Sequence, residues 1–289
     1  MTEAKVGVIG GSGLYEIDGL SDLKTLSLDT PFGKPSDDIT VGTLSGVRVA
    51  FLPRHGRGHR ISPSELPARA NIWALKSLGV THLLSISAVG SLREEFAPRH
   101  VVIPDQLLDR TKGIRPASFF GDGVVVHISF AEPYCPELRQ IIYEAAQQVG
   151  ATVHNGATMV VMEGPQFSTK AESHFYRRIG GDLIGMTALP EAKLAREAEI
   201  CYCTLAMVTD YDCWHETEEA VTVEMVIGNL LANVDTAKAI IRTALPRIAN
   251  ARRQCQCASA LANAIITHRE TIPTERLELL KPLIDKYLA

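Results

Sequence analysis

Short runs dominated by apolar residues alternate with amphipathic stretches along most of the chain. Such runs predict buried strands, at residues 6–9, 47–52, 81–88, 101–103, 158–162 and 200–208. Apolar positions at helical spacing predict helices over residues 65–78, 137–149, 168–179, 191–198, 221–231 and 235–251. Helices between apolar strands predict an α/β fold whose central sheet is largely parallel or mixed and is covered by helices on both faces.

Capping and breaking residues set the expected boundaries of these elements. Ser64 can cap the helix over 65–78, and Pro190 suits the first turn of the helix over 191–198. Pro246 predicts a kink or break, and a loop rich in Gly, Pro and Phe is expected over 109–122. Since no repeat, low-complexity segment or linker interrupts the pattern, we expect a single domain over 1–289 with a divergent helical segment from about residue 252.

Composition narrows the class of protein. The chain has 289 residues, of which 46% are hydrophobic and 21% charged, and this balance argues against disorder. A net charge of -4 implies no general basic surface for nucleic acid. No apolar run reaches membrane-spanning length and the first residues lack a signal-peptide layout, so we expect a cytoplasmic protein with no membrane partner.

The six cysteines do not form a secreted disulfide framework at this chain length. Cys201 and Cys203 alternate within a predicted strand, where they are expected to be small buried hydrophobes. Cys255 and Cys257 form a Cys-x-Cys near the C-terminus. A redox or metal role for this pair competes with inert cysteines, and the signal is weak because the sequence shows no partner pair.

Two carboxylates follow the apolar run over 200–208. Asp210 and Asp212 are spaced i, i+2, which on an extended segment places both side chains on one side. They could bind a metal, transfer protons or accept hydrogen bonds from a ligand, and a solvated turn is the simpler alternative. No Asp, Glu or His cluster with metal spacing stands beside them, so a metal is disfavoured.

A glycine-rich loop, residues 9–13, follows the first predicted strand. It lacks the third glycine of the dinucleotide-binding pattern and the Gly-Lys-Ser/Thr of the P-loop. A small phosphate-binding nest with Ser12 as a hydroxyl donor remains, with a simple tight turn as the alternative.

A second candidate anion-binding element, residues 54–59, leaves the strand over 47–52. It contains Arg54, His55, Arg57 and His59, which suit phosphate, although a solvated basic loop is the alternative. Ser87 lies at the end of a third strand. Ligands of α/β proteins collect at the carboxyl ends of strands, which favours a shared site.

These pieces, in this order, resemble the trimeric purine nucleoside phosphorylase family, and within it the branch that acts on 5′-methylthioadenosine. The segments that carry the resemblance are residues 9–14, 29–36, 54–57, 70–76, 90–95, 163–168 and 209–214. The resemblance extends to about Ala244. It implies the nucleoside phosphorylase fold, a homotrimer and phosphorolysis, in which phosphate attacks the anomeric carbon as the N-glycosidic bond breaks.

The resemblance also implies roles for individual residues. Asp210 would face purine N7 as the catalytic acid and Asp212 the 6-amino group. The implied phosphate site comprises Ser12, Arg54, His55, Ser87, Ala88 and Thr187. The implied base and ribose site comprises Phe167, Ser168, Ile184, Met186 and Thr209. Inorganic phosphate is the co-substrate, and neither a metal nor an organic cofactor is expected.

Three features bear on which nucleoside is used. Ser168 and Asp210 stand where the inosine/guanosine branch has Glu and Asn, which indicates a 6-aminopurine. Gly185 instead resembles the 6-oxopurine branch, so a phosphorylase with broad or 6-oxopurine specificity is the alternative. The family-matched pocket for the methylthio group consists of His59, Val223, Val226, Ile227 and, from a neighbouring subunit, His127. An ordinary core stripe and structural histidines are the alternatives for this set.

Overall fold

The computed structural model describes residues 3–11, 17–215 and 223–288, without the side chains of residues 223–226 and 230. Across these ranges, eleven strands form one mixed sheet flanked by helices. The α/β prediction is therefore confirmed. None of the described helices combines the length and apolarity that crossing a bilayer requires.

The elements follow one another along the chain. The strands are β1 (Val6–Gly10), β2 (Ser21–Leu26), β3 (Ile39–Leu44), β4 (Val47–Pro53), β5 (His82–Ser91), β6 (Val101–Ile103), β7 (Gln106–Arg110), β8 (Val153–Asn155), β9 (Thr158–Met162), β10 (Leu183–Gly185) and β11 (Cys201–Asp210). The helices are α1 (Ala68–Ser77), α2 (Pro136–Gln148), α3 (Lys170–Arg178), α4 (Ala188–Glu197), α5 (Val223–Asn250) and α6 (Thr274–Leu288).

Four neighbouring strands run parallel in the order β4-β1-β5-β11. Val6 of β1 pairs with Val49 of β4 and with His82 of β5, and His82 in turn pairs with Cys201 of β11. In this register the carboxyl ends of the four strands meet at one edge of the sheet, where a ligand site is expected. β10 pairs with β5 in the antiparallel sense and brings residues 185–187 to the same edge.

The core lies on both faces of the sheet, because successive residues of the central strands face opposite sides. Ile9, Leu83 and Tyr202 pack in one buried cluster. Their neighbours Val8, Leu84 and Cys201 pack in a second. This two-sided burial explains why β5 and β11 appear in the sequence as nearly continuous apolar runs rather than alternating ones.

The predicted start of the first helix is wrong. Residues 63–65 form a 3₁₀ turn whose capping box joins Ser62 to Glu65, and α1 begins only at Ala68. The reason is Pro67, which holds the residue before it in an extended conformation. Ser64 is therefore not a helix cap; its hydroxyl donates to the Glu163 carboxylate.

Three other helix boundaries differ from prediction. The helix expected from 168 begins at Lys170, because Thr169 forms the capping box with Glu172. The helix expected from 191 begins at Ala188, with Leu189 non-helical before Pro190. The two helices expected over 221–231 and 235–251 are one helix, α5, with Pro246 inside it; residues 221 and 222 lie outside the described ranges. β7 also extends to Arg110, into the segment expected to be loop.

Candidate active site

The carboxyl ends of β1, β4, β5 and β11 border one cavity. Most of the predicted site residues that the structure describes line it: Arg54, His55, His59, Ser87, Ala88, Phe167, Ile184, Met186, Thr187, Thr209, Asp210 and Asp212. The acid pair (Asp210 and Asp212) and the phosphate-side cluster (Arg54, His55, Ser87 and Thr187) therefore share a single cavity.

The acid pair lies at and just beyond the end of β11. The expectation that one extended segment carries both acids is wrong at Asp212, because β11 ends at Asp210 after a register shift and Asp212 has φ 52°. The turn nevertheless brings the two residues together. The Asp212 N–H donates to Asp210 Oδ1 at 2.8 Å, and both residues line the cavity.

Burial raises the pKa of the Asp210 carboxyl, and the negative charge of Asp212 adds to that effect. Burial also raises the pKa of Asp212. The Thr209 hydroxyl lies 2.7 Å from Asp210 Oδ2 and 3.2 Å from the Val89 carbonyl oxygen. Since a hydroxyl carries one hydrogen, it can donate to the ionised carboxylate, or donate to Val89 while it accepts from the protonated acid. Both protonation states of Asp210 thus have a partner.

Two amides of α5 fix the end of β11. Asn229 Nδ2 donates to the Thr209 carbonyl oxygen at 2.6 Å, and Asn233 Nδ2 donates to the Val208 carbonyl oxygen at 3.1 Å. Asn233 is buried and also lines the cavity. Neither residue was predicted from the sequence. The available signal was two asparagines, spaced i, i+4, on an otherwise apolar helical stretch.

Arg54 is the most buried member of the phosphate-side cluster. Its Nε donates to Glu191 Oε1 at 2.5 Å, its Nη2 to Ser85 Oγ at 2.6 Å, and its Nη1 to the Ile86 carbonyl oxygen at 2.8 Å. Within the described part of the chain, Nη1 has that one partner, so its second N–H is available to a ligand. The pairing of Glu191 with this arginine was not predicted from the sequence.

His55 is held in a defined tautomer. Its Nδ1 lies 2.8 Å from the Ile61 carbonyl oxygen, so Nδ1 carries the hydrogen and donates. Burial, followed by the neighbouring Arg54 charge, lowers the pKa of His55 to about 4. Near neutral pH the ring is therefore uncharged, and its Nε2 is a hydrogen-bond acceptor. The His59 ring stacks on it with centroids 4.2 Å apart.

Two hydroxyls and a methionine complete the middle of the cavity. Ser87 Oγ lies 3.2 Å from Thr187 Oγ1, across β5 and the start of α4. The buried Arg115 donates from Nη1 to the Met186 and Leu189 carbonyl oxygens and pairs through Nε with Glu163 at 2.8 Å. Arg115 therefore positions the backbone of Met186, a role that its place in a predicted loop did not reveal.

The remaining predicted residues are not placed in the cavity. Ser168 does not line it, but its hydroxyl donates to the Sδ atom of the cavity-lining Met162 at 3.7 Å. Ile227 is 50% exposed and does not line it. His127 is exposed on a segment that bonds to Ala264 and lies outside the lining of its own chain's cavity. Ser12 lies outside the described residues, as do the side chains of Val223 and Val226.

This parallel-strand edge, with an acid pair and a cationic phosphate-side cluster in one cavity, is the arrangement expected of a nucleoside phosphorylase. The family model of the phosphorylase superfamily matches residues 5–246, and the chain belongs to that family.

Individual relatives of this chain have names more specific than that of the superfamily. S-methyl-5′-thioadenosine phosphorylase from Chloroflexus aurantiacus is 60% identical over 287 residues, which cover 99% of each chain. A crystal structure of a methylthioadenosine phosphorylase from an antarctic soil metagenomic library has a TM-score of 0.93 at 50% identity and covers 98% of this chain and 99% of its own. A variant of the adenosine/methylthioadenosine phosphorylase of Schistosoma mansoni, in complex with adenine, has a TM-score of 0.86 at 37% identity and covers 91% of this chain and 99% of its own.

Proposed function

We propose that this protein catalyses the phosphorolysis of 5′-methylthioadenosine to adenine and 5-methylthioribose 1-phosphate. The observation that carries the proposal is that the acid pair and the phosphate-side cluster line one cavity. One nucleoside can therefore contact the acids with its base while phosphate lies on the sugar side. Had the two sets been on opposite sides of the molecule, no nucleoside could have reached both.

The phosphate-side cluster orients the nucleophile. Arg54 offers the second N–H of its Nη1, Ser87 and Thr187 offer hydroxyls, and Ala88 lies beside them on β5. The neutral His55 accepts through Nε2, so it suits the O–H of a hydrogen phosphate ion rather than a fully ionised oxygen. A phosphate oxygen attacks the anomeric carbon as the bond to purine N9 breaks, through an oxocarbenium-like state.

The acid pair receives the leaving purine. The electron pair of the broken bond moves into the adenine ring, and N7 gains negative charge. Because burial raises the pKa of Asp210, this carboxyl is suited to donate a proton to N7 near neutral pH. The proton is returned from solvent after adenine leaves, so the carboxyl is regenerated in each turnover.

Asp212 provides the preference for a 6-amino group. A carboxylate accepts well from an exocyclic amine and repels a 6-keto oxygen, and a site with buried polar groups of this kind discriminates by up to about 10⁴. A Cβ at Gly185 would lie 2.5 Å from Met159 Cε, so this position has no room for a side chain unless Met159 moves. The alternative, a broad or 6-oxopurine specificity, is tested by comparing inosine with methylthioadenosine as substrate.

Phosphate dependence is the direct test of the reaction. The protein is incubated with methylthioadenosine, with and without inorganic phosphate, and adenine release is followed by chromatography. If the reaction is phosphorolysis, adenine is released only when phosphate is present, and methylthioribose 1-phosphate forms in equal amount. Adenine released equally without phosphate would identify a hydrolase instead, and no adenine in either case would contradict the proposal.

We also propose a homotrimer in which His127 of the partner subunit approaches the 5′ group. The exposure of His127 on its own chain supports this, because the residue is accessible to a neighbour. His59, Val223, Val226 and Ile227 are the proposed remainder of the methylthio pocket, and Ser12 and Ser168 complete the proposed phosphate and base sites. Sedimentation equilibrium tests the assembly. A trimeric mass and a rise in KM for methylthioadenosine in His127→Ala are expected, whereas a monomer with full activity would exclude the shared site.

A further inference from the structure

Four cysteines lie together far from the active site. Cys135, Cys201, Cys255 and Cys257 place their sulfur atoms within 4.8 Å of one another, and the Cys201 and Cys255 sulfurs are 3.4 Å apart. All four are free thiols, and all but Cys255 are buried. The structure therefore supplies the partner pair that the Cys-x-Cys motif lacked in the sequence. We refer to these residues as the four-cysteine cluster.

The four cysteines belong to different secondary-structure elements, and backbone hydrogen bonds hold two of them in place. Cys135 caps the start of α2, and its N–H donates to the Tyr202 carbonyl oxygen at 2.9 Å. Cys201 begins β11, and its N–H donates to the Thr81 carbonyl oxygen at 2.9 Å. Cys255 and Cys257 lie in and just before a 3₁₀ turn of the C-terminal segment. Three separate parts of the chain therefore meet at the cluster. Cys135 and Cys201 contribute one sulfur each, and the C-terminal segment contributes two.

The spacing of the sulfur atoms matches a tetrahedral metal site. A zinc ion bound by four thiolates at about 2.3 Å has sulfur–sulfur distances of about 3.8 Å. The sulfur separations in the cluster bracket that value. Four neutral thiols are weak hydrogen-bond donors and acceptors, so their convergence in a buried position has little stabilising effect without a cation.

The surroundings also suit a charged thiolate centre. The Leu138 N–H donates to Cys135 Sγ at 3.5 Å, the kind of amide contact that supports a metal-bound sulfur. The Arg253 side chain lies beside Cys201, Cys255 and Cys257, and its Nη2 donates to the Glu199 carbonyl oxygen at 2.7 Å. A positive side chain offsets the net charge of about -2 that four thiolates and one dication would carry.

We propose that the four-cysteine cluster is a structural site for one thiophilic divalent cation, of the Zn²⁺ type, that fastens the C-terminal segment to the sheet. Cys201 and Asp210 are opposite ends of β11. Nine residues of extended chain separate the cluster from the acid pair by about 30 Å, so the ion takes no part in the reaction. The proposal revises the expectation of no metal and adds a function for the segment after residue 252.

Metal content is the test. Full-length protein is produced in zinc-supplemented medium, purified anaerobically under reducing conditions, and analysed by inductively coupled plasma mass spectrometry. About one zinc per chain is expected for the parent and for Cys203→Ala, a buried cysteine of the same strand outside the cluster. Cys255→Ser and Cys257→Ser should each lose at least about 90% of it, since a structural zinc site uses all four ligands.

Two measurements keep the proposal testable if those variants fold poorly. Parent protein reconstituted with Co²⁺ should show the intense visible absorption of a tetrahedral cobalt thiolate centre. A strong chelator should lower the unfolding temperature of the parent and of Cys203→Ala. Parent protein without stoichiometric zinc would overturn the proposal, whether non-reducing mass spectrometry then showed four free thiols or disulfide bonds within the cluster.

Discussion

The Arg54 guanidinium and the Glu191 carboxylate form an ion pair in which each side chain is only 2% exposed, with Nε and Oε1 2.5 Å apart. The two residues come from different parts of the fold, the end of β4 and the first turn of α4. Ser85 and Tyr202 hydroxyls also contact the carboxylate, at 3.1 Å each. The pair therefore fixes the arginine within the phosphate-side cluster and leaves one N–H of Nη1 for the anion.

Glu191→Gln should destabilise the fold and weaken phosphate binding. Removing one partner of a buried ion pair leaves an uncompensated charge and costs about 3–5 kcal/mol. We expect that loss in the free energy of unfolding from denaturant titration, together with a higher KM for phosphate. Glu144→Gln is the control, because Glu144 pairs with Arg247 at the surface and its loss should leave both quantities nearly unchanged. Equal effects of the two variants would contradict the role given to Glu191.

Asp210→Asn should slow the release of adenine and favour 6-oxopurines. An amide cannot protonate N7, and a general acid contributes about 10²–10⁴ to the rate. We therefore expect kcat for methylthioadenosine to fall by about that factor, while the ratio of kcat/KM for inosine to that for methylthioadenosine rises. Steady-state kinetics with both nucleosides measure this. Full turnover of methylthioadenosine by the folded variant would show that Asp210 is not the proton donor.

The parts of the fold that the sequence predicted are those with strong, long patterns. β1, β4, β5, β9 and β11 are apolar because both faces of the sheet are covered, and their runs are unmistakable. β2 was missed because it is exposed and polar. β8 and β10 were missed because each has only three residues and is not wholly apolar, unlike the equally short β6. The segment from about residue 252 was expected to be helical without defined bounds; α6 begins only at Thr274 and contains Pro282, a residue that argues against a helix interior.

The residues of the candidate site also fall into those that a local sequence pattern can predict and those that it cannot. Residues directly after strong strands, such as Arg54 and Asp210, were found because strand ends are where ligands bind. Glu191, Asn233 and Arg115 act through contacts with residues distant in sequence, and no local pattern reveals such pairings. The four-cysteine cluster shows the same limit, since only folding brings Cys135 and Cys201 to the Cys-x-Cys motif.

Asn233→Ala should impair catalysis by releasing the end of β11. The substitution removes one of two donors to the Val208 carbonyl oxygen, which keeps the Arg99 N–H at 2.8 Å, so the expected cost is that of one hydrogen bond, about 0.5–1.5 kcal/mol. Because Asp210 follows two residues later, we expect a lower kcat for methylthioadenosine as well as lower stability. Asn250→Ala, at the exposed end of the same helix, is the matched control and should retain parental kinetics. If Asn233→Ala lost stability but kept its kcat, the amide would support the fold without positioning the acid.

Glu197 should make the protein less stable as pH rises through neutrality. Its buried carboxylate accepts from the Phe119 N–H and the Ser118 hydroxyl, both at 2.7 Å, yet burial dominates and raises its pKa from 4.5 to about 7. Between these values the folded state binds the proton more tightly than the unfolded state. The stabilisation from that proton is therefore complete below about pH 4.5 and is lost as pH rises through about 7.

Glu197→Gln isolates this effect, because glutamine keeps an acceptor for Phe119 and stays neutral at every pH. Relative to the parent, the variant should be similar at pH 5 and more stable at pH 8, by up to about 3 kcal/mol. Urea denaturation of both proteins across this pH range measures the difference between their free energies of unfolding. The contributions of all other titrating groups cancel in this difference. Glu278→Gln, at an exposed position, should show no such trend. A difference between the parent and Glu197→Gln that did not change with pH would mean that Glu197 is ionised in the folded protein throughout the range.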